Sequence, residues 1–289
     1  VAKFKDYYSL TKPGVLYGNA LTAAAGFFLA ARGHIDIWLF IALVVGSTLV
    51  IASACVLNNY LDQDIDGKMA RTKKRAIVSG VVKGRDAVML SITLGVMGFL
   101  VLVLYTNILV VAAGIIGFVD YVVLYGMFSK RLSMHGTLVG SVSGAIPVLA
   151  GYLAVADRVD AGAIIVFGAM FLWQMPEFYS IAIYRRKEYA TAGIPVISVV
   201  SGVERTRVQI FLYTFAFVIA TLLLTAYGYT GYSYLVVMGL LGVYWLRLTL
   251  RGLYLGSRNS DTWARGVFRF SLIILLAFCV MISVGPLLP

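Results

Sequence analysis

The chain has 289 residues, 61% of them hydrophobic and only 13% charged, with a mean hydropathy of +0.90. No soluble globular domain is built that way, and the apolar runs are long enough to cross a bilayer. The net charge of +11 would suggest nucleic acid in a soluble protein; here it reads as membrane topology, and no nucleic-acid partner is expected.

The opening, VAKFKDYYSLTKPG, has no apolar core with a small-residue cleavage site, so no secretory signal is expected. Nine apolar segments follow, near 15–31, 37–58, 86–105, 108–128, 137–156, 161–183, 209–227, 233–253 and 267–286. Each is about the length a helix needs to cross some 30 Å of hydrocarbon. The first is expected to start at Thr11-Lys12-Pro13, with proline in the first turn. When the loops are assigned alternately to two sides, 22 of the 24 Lys and Arg fall on one side, leaving only Arg32 and Arg158 on the other. The positive-inside rule then puts the N-terminus in the cytoplasm and the C-terminus outside, which requires an odd number of spans. Cys55 and Cys279 lie inside apolar runs and read as buried thiols. With no internal repeat, low-complexity tract or linker, residues 1–289 read as one all-α domain embedded in a lipid bilayer.

Residues 58–75, NNYLDQDIDGKMARTKKR, lie where the second apolar segment meets a polar stretch. Asn58, Asp62 and Asp66 are spaced i, i+4, i+8; on a helix they drift by about 80° in all and share one face over two turns. Two carboxylates and an amide oxygen are hard donors that suit Mg²⁺ rather than zinc. Lys68, Arg71, Lys73, Lys74 and Arg75 come directly after. Acids that hold a divalent ion, followed by cations, are what a diphosphate-handling site needs. Asp64 points roughly opposite to Asp62 and is expected to stand apart. The stretch resembles the first Asp-rich motif of the intramembrane prenyltransferases (the UbiA superfamily), in the version found in its heme-farnesylating branch.

Further along, Asp120 is an acid about two turns from the cytoplasmic end of the fourth segment, expected to face a cavity or pair with a neighbouring helix. Gly136, Gly140 and Gly144 form a small-residue ridge that lets helices approach closely. The second polar constellation is WQMPEFYSIAIYRRKEY, residues 173–189. On one continuous helix Glu177, Tyr184 and Glu188 fall within about 20° of one angular position. Pro176 is expected to kink that helix. Glu177 lies deep in an apolar run, where a carboxylate is a functional candidate by default. The segment is similar to the second acidic motif of the same superfamily. Glu177 stands where the heme-farnesylating branch usually has histidine, and Glu188 where it usually has aspartate.

The resemblance implies a nine-transmembrane-helix bundle of the intramembrane prenyltransferase type, in the cytoplasmic (inner) membrane, with its active site toward the cytoplasm. Asn58, Asp62, Asp66, Glu177 and Glu188 are expected to coordinate Mg²⁺ (Mn²⁺ is a possible substitute), with Asp62, Asp66, Glu177 and Glu188 as the catalytic set. Arg71, Arg75, Lys130 and Tyr184 are expected at the substrate. Farnesyl diphosphate as donor and a vinyl group of protoheme IX as acceptor are implied by the resemblance alone. Two other readings stand beside this one. The acceptor could be an aromatic quinone precursor, which the sequence does not separate from heme. A cation transporter using intramembrane acids would not require R-T-x2-R beside N-x3-D-x3-D, and tends to show repeats or broken helix pairs.

Overall fold

Long apolar runs lie stably in a bilayer only with their backbone groups bonded internally, which for an open chain means helix. The computed structural model describes residues 2–254 and 259–289, and no strand occurs among them. The elements are α1 (Phe4–Leu10), α2 (Pro13–Ala31), α3 (Ile37–Leu61), α4 (Gln63–Asp66) and α5 (Gly84–Tyr105). Next, α6 (Ile108–Val119) runs on through a π-helical stretch (Asp120–Ser129) into a last turn, α7 (Lys130–Leu132). Then follow α8 (Gly136–Ala156), α9 (Ala161–Tyr184), α10 (Arg186–Ala192), α11 (Ile197–Val200), α12 (Gly202–Ala226), α13 (Tyr232–Arg251) and α14 (Ser260–Val284). Among the described residues nine helices are long and apolar enough to span a membrane: α2, α3, α5, the α6–α7 run, α8, α9, α12, α13 and α14. The expected all-α, nine-span architecture is what the chain adopts.

Local chemistry accounts for several boundaries. Proline at the first position of α2 has no N–H to leave unbonded. Asp36 caps α3 by accepting from Trp38 N and Leu39 N, and Asp160 caps α9 by accepting from Ala163 N. The seventh span starts at Gly202 rather than near 209, because the polar turns GVERTRV continue the helix before its apolar part begins. Helix α9 runs unbroken through Pro176 to Tyr184.

α3 packs along α5, α2 along α8, and α9 against α8, α12 and α14. The α2–α8 crossing is close enough that backbones touch. A Cβ on Gly26 would fall 2.0 Å from Val148 O, and one on Gly151 would fall 1.9 Å from Ala23 O. That is the small-residue contact by which membrane helices gain dispersion energy without a hydrophobic driving force. Polar ties cross the interior: Ser53 Oγ to Ser91 O at 2.7 Å, Gln174 Nε2 to Ser141 O at 3.0 Å, and Trp173 Nε1 to Ser271 O at 2.9 Å. Each such tie contributes about 0.6 kcal/mol in a bilayer. Large apolar side chains such as Trp38, Leu104, Leu240 and Val243 face outward, toward lipid.

The stretch between α4 and α5 is more structured than its polar sequence implies. Ala76, Ile77 and Val82 bury with Leu10 of α1 and Val56 of α3. Ile65 and Met69 bury with Ala192 and Ile194, beyond α9. Two long polar connections are thereby docked on each other at one end of the bundle.

Candidate active site

That end of the bundle collects the acidic motif. Helix α3 stops at Leu61 with Asp62 as its C-cap, and α4 resumes after it. The helical register nevertheless survives the break, because Asp62 N donates to Asn58 O at 3.0 Å and Asp66 N to Asp62 O at 2.8 Å. Asn58, Asp62 and Asp66 are accordingly all buried, at 2%, 1% and 4% exposure. Asp64 is exposed and forked by Arg131, Nη1 at 2.8 Å and Nη2 at 2.9 Å. That bond holds the Asp64 carboxyl down at about 2.

Each buried member of the motif meets a cation, and Asp62 also has Arg131 Nη2 at 3.8 Å from its Oδ1. Lys12 Nζ donates to Asn58 Oδ1 at 2.6 Å, Lys130 pairs with Asp62, and Arg75 pairs with Asp66. Thr72 Oγ1 donates to Asp66 O at 2.9 Å and so folds the RTKKR run back over the acids. Carboxylates at this depth are tolerable only when compensated, and a pair broken on one side leaves a costly lone charge. Lys12 reaches the site from a backbone in the left-handed region, φ 55°, ahead of Pro13. Burial pushes its ammonium down to about 8, with Arg75 and Lys130 acting in the same direction.

The π-helical stretch supplies the opposite wall. Tyr121 and Tyr125 stack at 5.9 Å; the Tyr121 hydroxyl lies 3.4 Å from Lys12 Nζ and 3.5 Å from Asn58 Oδ1. π-Helical turns are rare and recur at functional sites. Asp120, at its start, accepts from Ser143 N at 2.9 Å and so pairs with the neighbouring helix α8. The glycine ridge of α8 makes room for this wall, since a Cβ on Gly140 would sit 2.9 Å from the Tyr125 ring. Lys12, Tyr121, Tyr125 and Arg131 were not among the sequence candidates. A lysine placed directly before the first helix's proline, and tyrosines at i, i+4 beside an intramembrane acid, were the available signals.

Arg185 separates α9 from α10 as Asp62 separates α3 from α4, and i→i−4 bonds again cross the break, Arg185 N to Ile181 O at 3.0 Å and Tyr189 N to Arg185 O at 3.1 Å. Glu188 folds back onto Arg185 Nη1 at 3.1 Å. Tyr184 lies edge-on to Phe268 of α14, with the Arg265 guanidinium 4.5 Å from its ring centre. Glu177 is buried on α9 with 8% exposure and forms no ion pair among the described residues. Arg71 is exposed. No group of three or more His, Cys, Asp or Glu able to hold an ion together exists among the described residues. Of the five expected ligands, Asn58, Asp62 and Asp66 are each buried with a cation, Glu188 is engaged by Arg185, and Glu177 is buried on α9. Asp62 Oδ1 is buried without a hydrogen-bond partner. That oxygen, with Arg131 Nη2 at 3.8 Å, belongs with Asp66 and the Asn58 amide oxygen to a set of hard donors that fits a divalent cation.

Residues 19–282 match the UbiA prenyltransferase family. The chain belongs to that family. It is 48% identical over 287 residues to protoheme IX farnesyltransferase 2 of Chromobacterium violaceum, covering 99% of this chain and 95% of the relative. It is 46% identical over 280 residues to the protoheme IX farnesyltransferase of Edwardsiella ictaluri, covering 97% and 94%. Among solved structures, that of a digeranylgeranylglyceryl phosphate synthase matches with TM-score 0.82 at 18% identity, covering 98% of both chains. A UbiA homolog from Archaeoglobus fulgidus bound to GPP and Mg²⁺ matches with TM-score 0.64 at 14% identity, covering 96% of this chain and 99% of that one. At those identities the structural matches establish the UbiA fold, and the close sequence relatives establish a membrane prenyltransferase.

Proposed function

We propose that this UbiA-family enzyme transfers the farnesyl group of farnesyl diphosphate to a vinyl group of protoheme IX, giving heme O. The observation that carries the reading is the buried Asn58–Asp62–Asp66 cluster with every member facing a cation. The near full-length similarity to protoheme IX farnesyltransferases supports the choice of substrates.

Asn58, Asp62 and Asp66 would hold Mg²⁺, with Mn²⁺ as a substitute. When bound, the ion supplies Lewis-acid neutralisation of charge on the diphosphate. Lys12, Lys130 and Arg75 each have a choice of partner, the motif oxygen they hold now or a phosphate oxygen of the donor. Moving to phosphate, they stabilise charge on the leaving group as the allylic C–O bond breaks and its electron pair departs with the diphosphate. The vinyl π pair then bonds to the farnesyl C1. Water captures the resulting cation beside the porphyrin ring and loses a proton, leaving a hydroxyethylfarnesyl group. Stacked Tyr121 and Tyr125 and the apolar bundle behind them keep stray water from the allylic cation.

The excess of cations at this end of the bundle supports a cytoplasmic active site in the inner membrane, with the N-terminus inside and the C-terminus outside. The test is diphosphate release from farnesyl diphosphate by the purified protein. Release that needs a divalent ion and fails in Asp62→Asn supports the reading; release indifferent to both overturns it.

A further inference from the structure

A second feature of the same end lies outside the acidic cluster. A cavity of about 830 Å³ opens between the end of α9, the start of α12 and the start of α14. Its volume is within the usual range of small-molecule sites, about 300–1,000 Å³. Arg185, Arg186, Lys187, Arg205, Arg207 and Arg265 line it. Three acids, Glu188, Glu204 and Asp261, also line it, so cations outnumber acids two to one, and Glu188 is already engaged by Arg185. The first turns of two long helices, Gly202–Val203–Glu204 of α12 and Ser260–Asp261 of α14, also face this space. Their N-terminal dipoles add to the positive potential. The Tyr184 ring stands between two guanidiniums, Arg265 at 4.5 Å and Arg185 at 5.7 Å, which orders both cations before any ligand arrives.

The apolar part of the lining is Ile183, Tyr184 and Val203; Ile183 belongs to a buried cluster with Met175, Tyr179, Trp263 and Val267, and Tyr184 and Val203 pack against it. The cavity thus combines a cationic rim with an apolar floor made of Ile183, Tyr184 and Val203. It also adjoins the donor cluster. Tyr189, next in the chain to the lining residue Glu188, packs against the cluster that holds Ile65 and Met69 of the first motif. Ile65 and Met69 of the first motif pack on Ala192 and Ile194 of the second.

We propose that this cavity binds the propionate carboxylates of the porphyrin acceptor, its cations on the two acids and its apolar floor toward the ring edge. The inference rests on the heme reading above. Carboxylates at one edge of a flat apolar ring are the shape and charge that such a rim and floor complement, and guanidiniums pair with them in a bidentate fashion. A lipid phosphate offers similar oxyanion chemistry, and the test separates the two.

Arg186→Glu, Arg205→Glu and their Arg→Lys counterparts are compared with the unaltered enzyme in nanodiscs of zwitterionic lipid only. Farnesyl transfer to heme B and to its dimethyl ester is followed by mass. The charge reversals are expected to raise the half-saturating heme B concentration about tenfold or more, the equivalent of one charged hydrogen bond. The diester should show no such penalty, the farnesyl diphosphate dependence should not move, and the lysine variants should recover. Equal penalties on acid and diester would overturn the assignment in favour of a lipid phosphate. Farnesylated heme from the unaltered enzyme with no change in either reversal overturns the cavity alone. No farnesylated heme from the unaltered enzyme overturns the heme reading and the cavity with it.

Discussion

Lys12 Nζ lies 2.6 Å from Asn58 Oδ1, which joins the start of the first membrane span to the first residue of the acidic motif. The lysine reaches it from a left-handed backbone, a conformation that costs roughly 1–2 kcal/mol for a residue with a side chain. Strain of that kind persists where the surroundings enforce it, and it clusters at functional sites. Lys12→Met is expected to raise the half-saturating farnesyl diphosphate concentration about tenfold, because the ammonium no longer donates a charged hydrogen bond to the diphosphate. Lys12→Arg should retain most of the affinity. Donor titrations on the purified variants measure both, and an unaltered Lys12→Met would remove the lysine from the donor site.

Asp62→Asn and Asp66→Asn should each reduce transfer by about 10²–10³-fold, the loss typical of removing a charge-stabilising group. An amide is a poorer ligand for a divalent ion, and it also strands the cation facing it, Lys130 or Arg75. Asp64→Asn should be mild, because that carboxylate is exposed and meets Arg131 only at the surface. Initial rates under saturating Mg²⁺ decide the matter. Equal damage at Asp64 would contradict the buried-cluster account.

Asp160 gives a pH-dependent prediction away from the site. Burial alone would raise its carboxyl, but hydrogen bonds from Ala163 N, Tyr152 and Arg158 outweigh that and hold it below the usual range. A depressed carboxyl stabilises the folded state above its unfolded value of about 4, and the contribution is lost as pH falls through the folded value. Asp160→Ala should therefore cost about 1 kcal/mol at neutral pH, chiefly through loss of the helix cap. Thermal melts at pH 7 and below pH 4 should show the gap narrowing on acidification. A gap independent of pH would mean that the charge contributes nothing.

Topology is testable by cysteine labelling in intact cells. Cysteines at Arg32 and Arg158 should react from outside, and those within 68–85 only from the cytoplasm. Labelling of 68–85 from outside would put the acidic cluster in the wrong compartment.

The spans and the first motif were legible because both depend on local periodicity. Asn58, Asp62 and Asp66 shared a face in the sequence, and they still do, although the helix breaks at Asp62, because i→i−4 bonds continue across it. The second motif has the same construction, with a one-residue break at Arg185 that i→i−4 bonds also cross. Partners were harder still. Lys12 and Asn58 are 46 positions apart, Asp62 and Lys130 are 68, and no periodicity reports on such pairs. Neither the apolar anchors Met69 and Ile77 in a loop that reads as polar nor the π-helical winding before Lys130 leaves a compositional trace.

The measurement closest to the central claim is to give the purified enzyme heme B, farnesyl diphosphate and Mg²⁺ and to follow the porphyrin by mass. The account predicts a heme carrying one hydroxyethylfarnesyl group, formed with release of one diphosphate and absent with Asp62→Asn. Diphosphate released while heme B stays unmodified, or a prenylated quinone precursor formed in preference to heme, would contradict it.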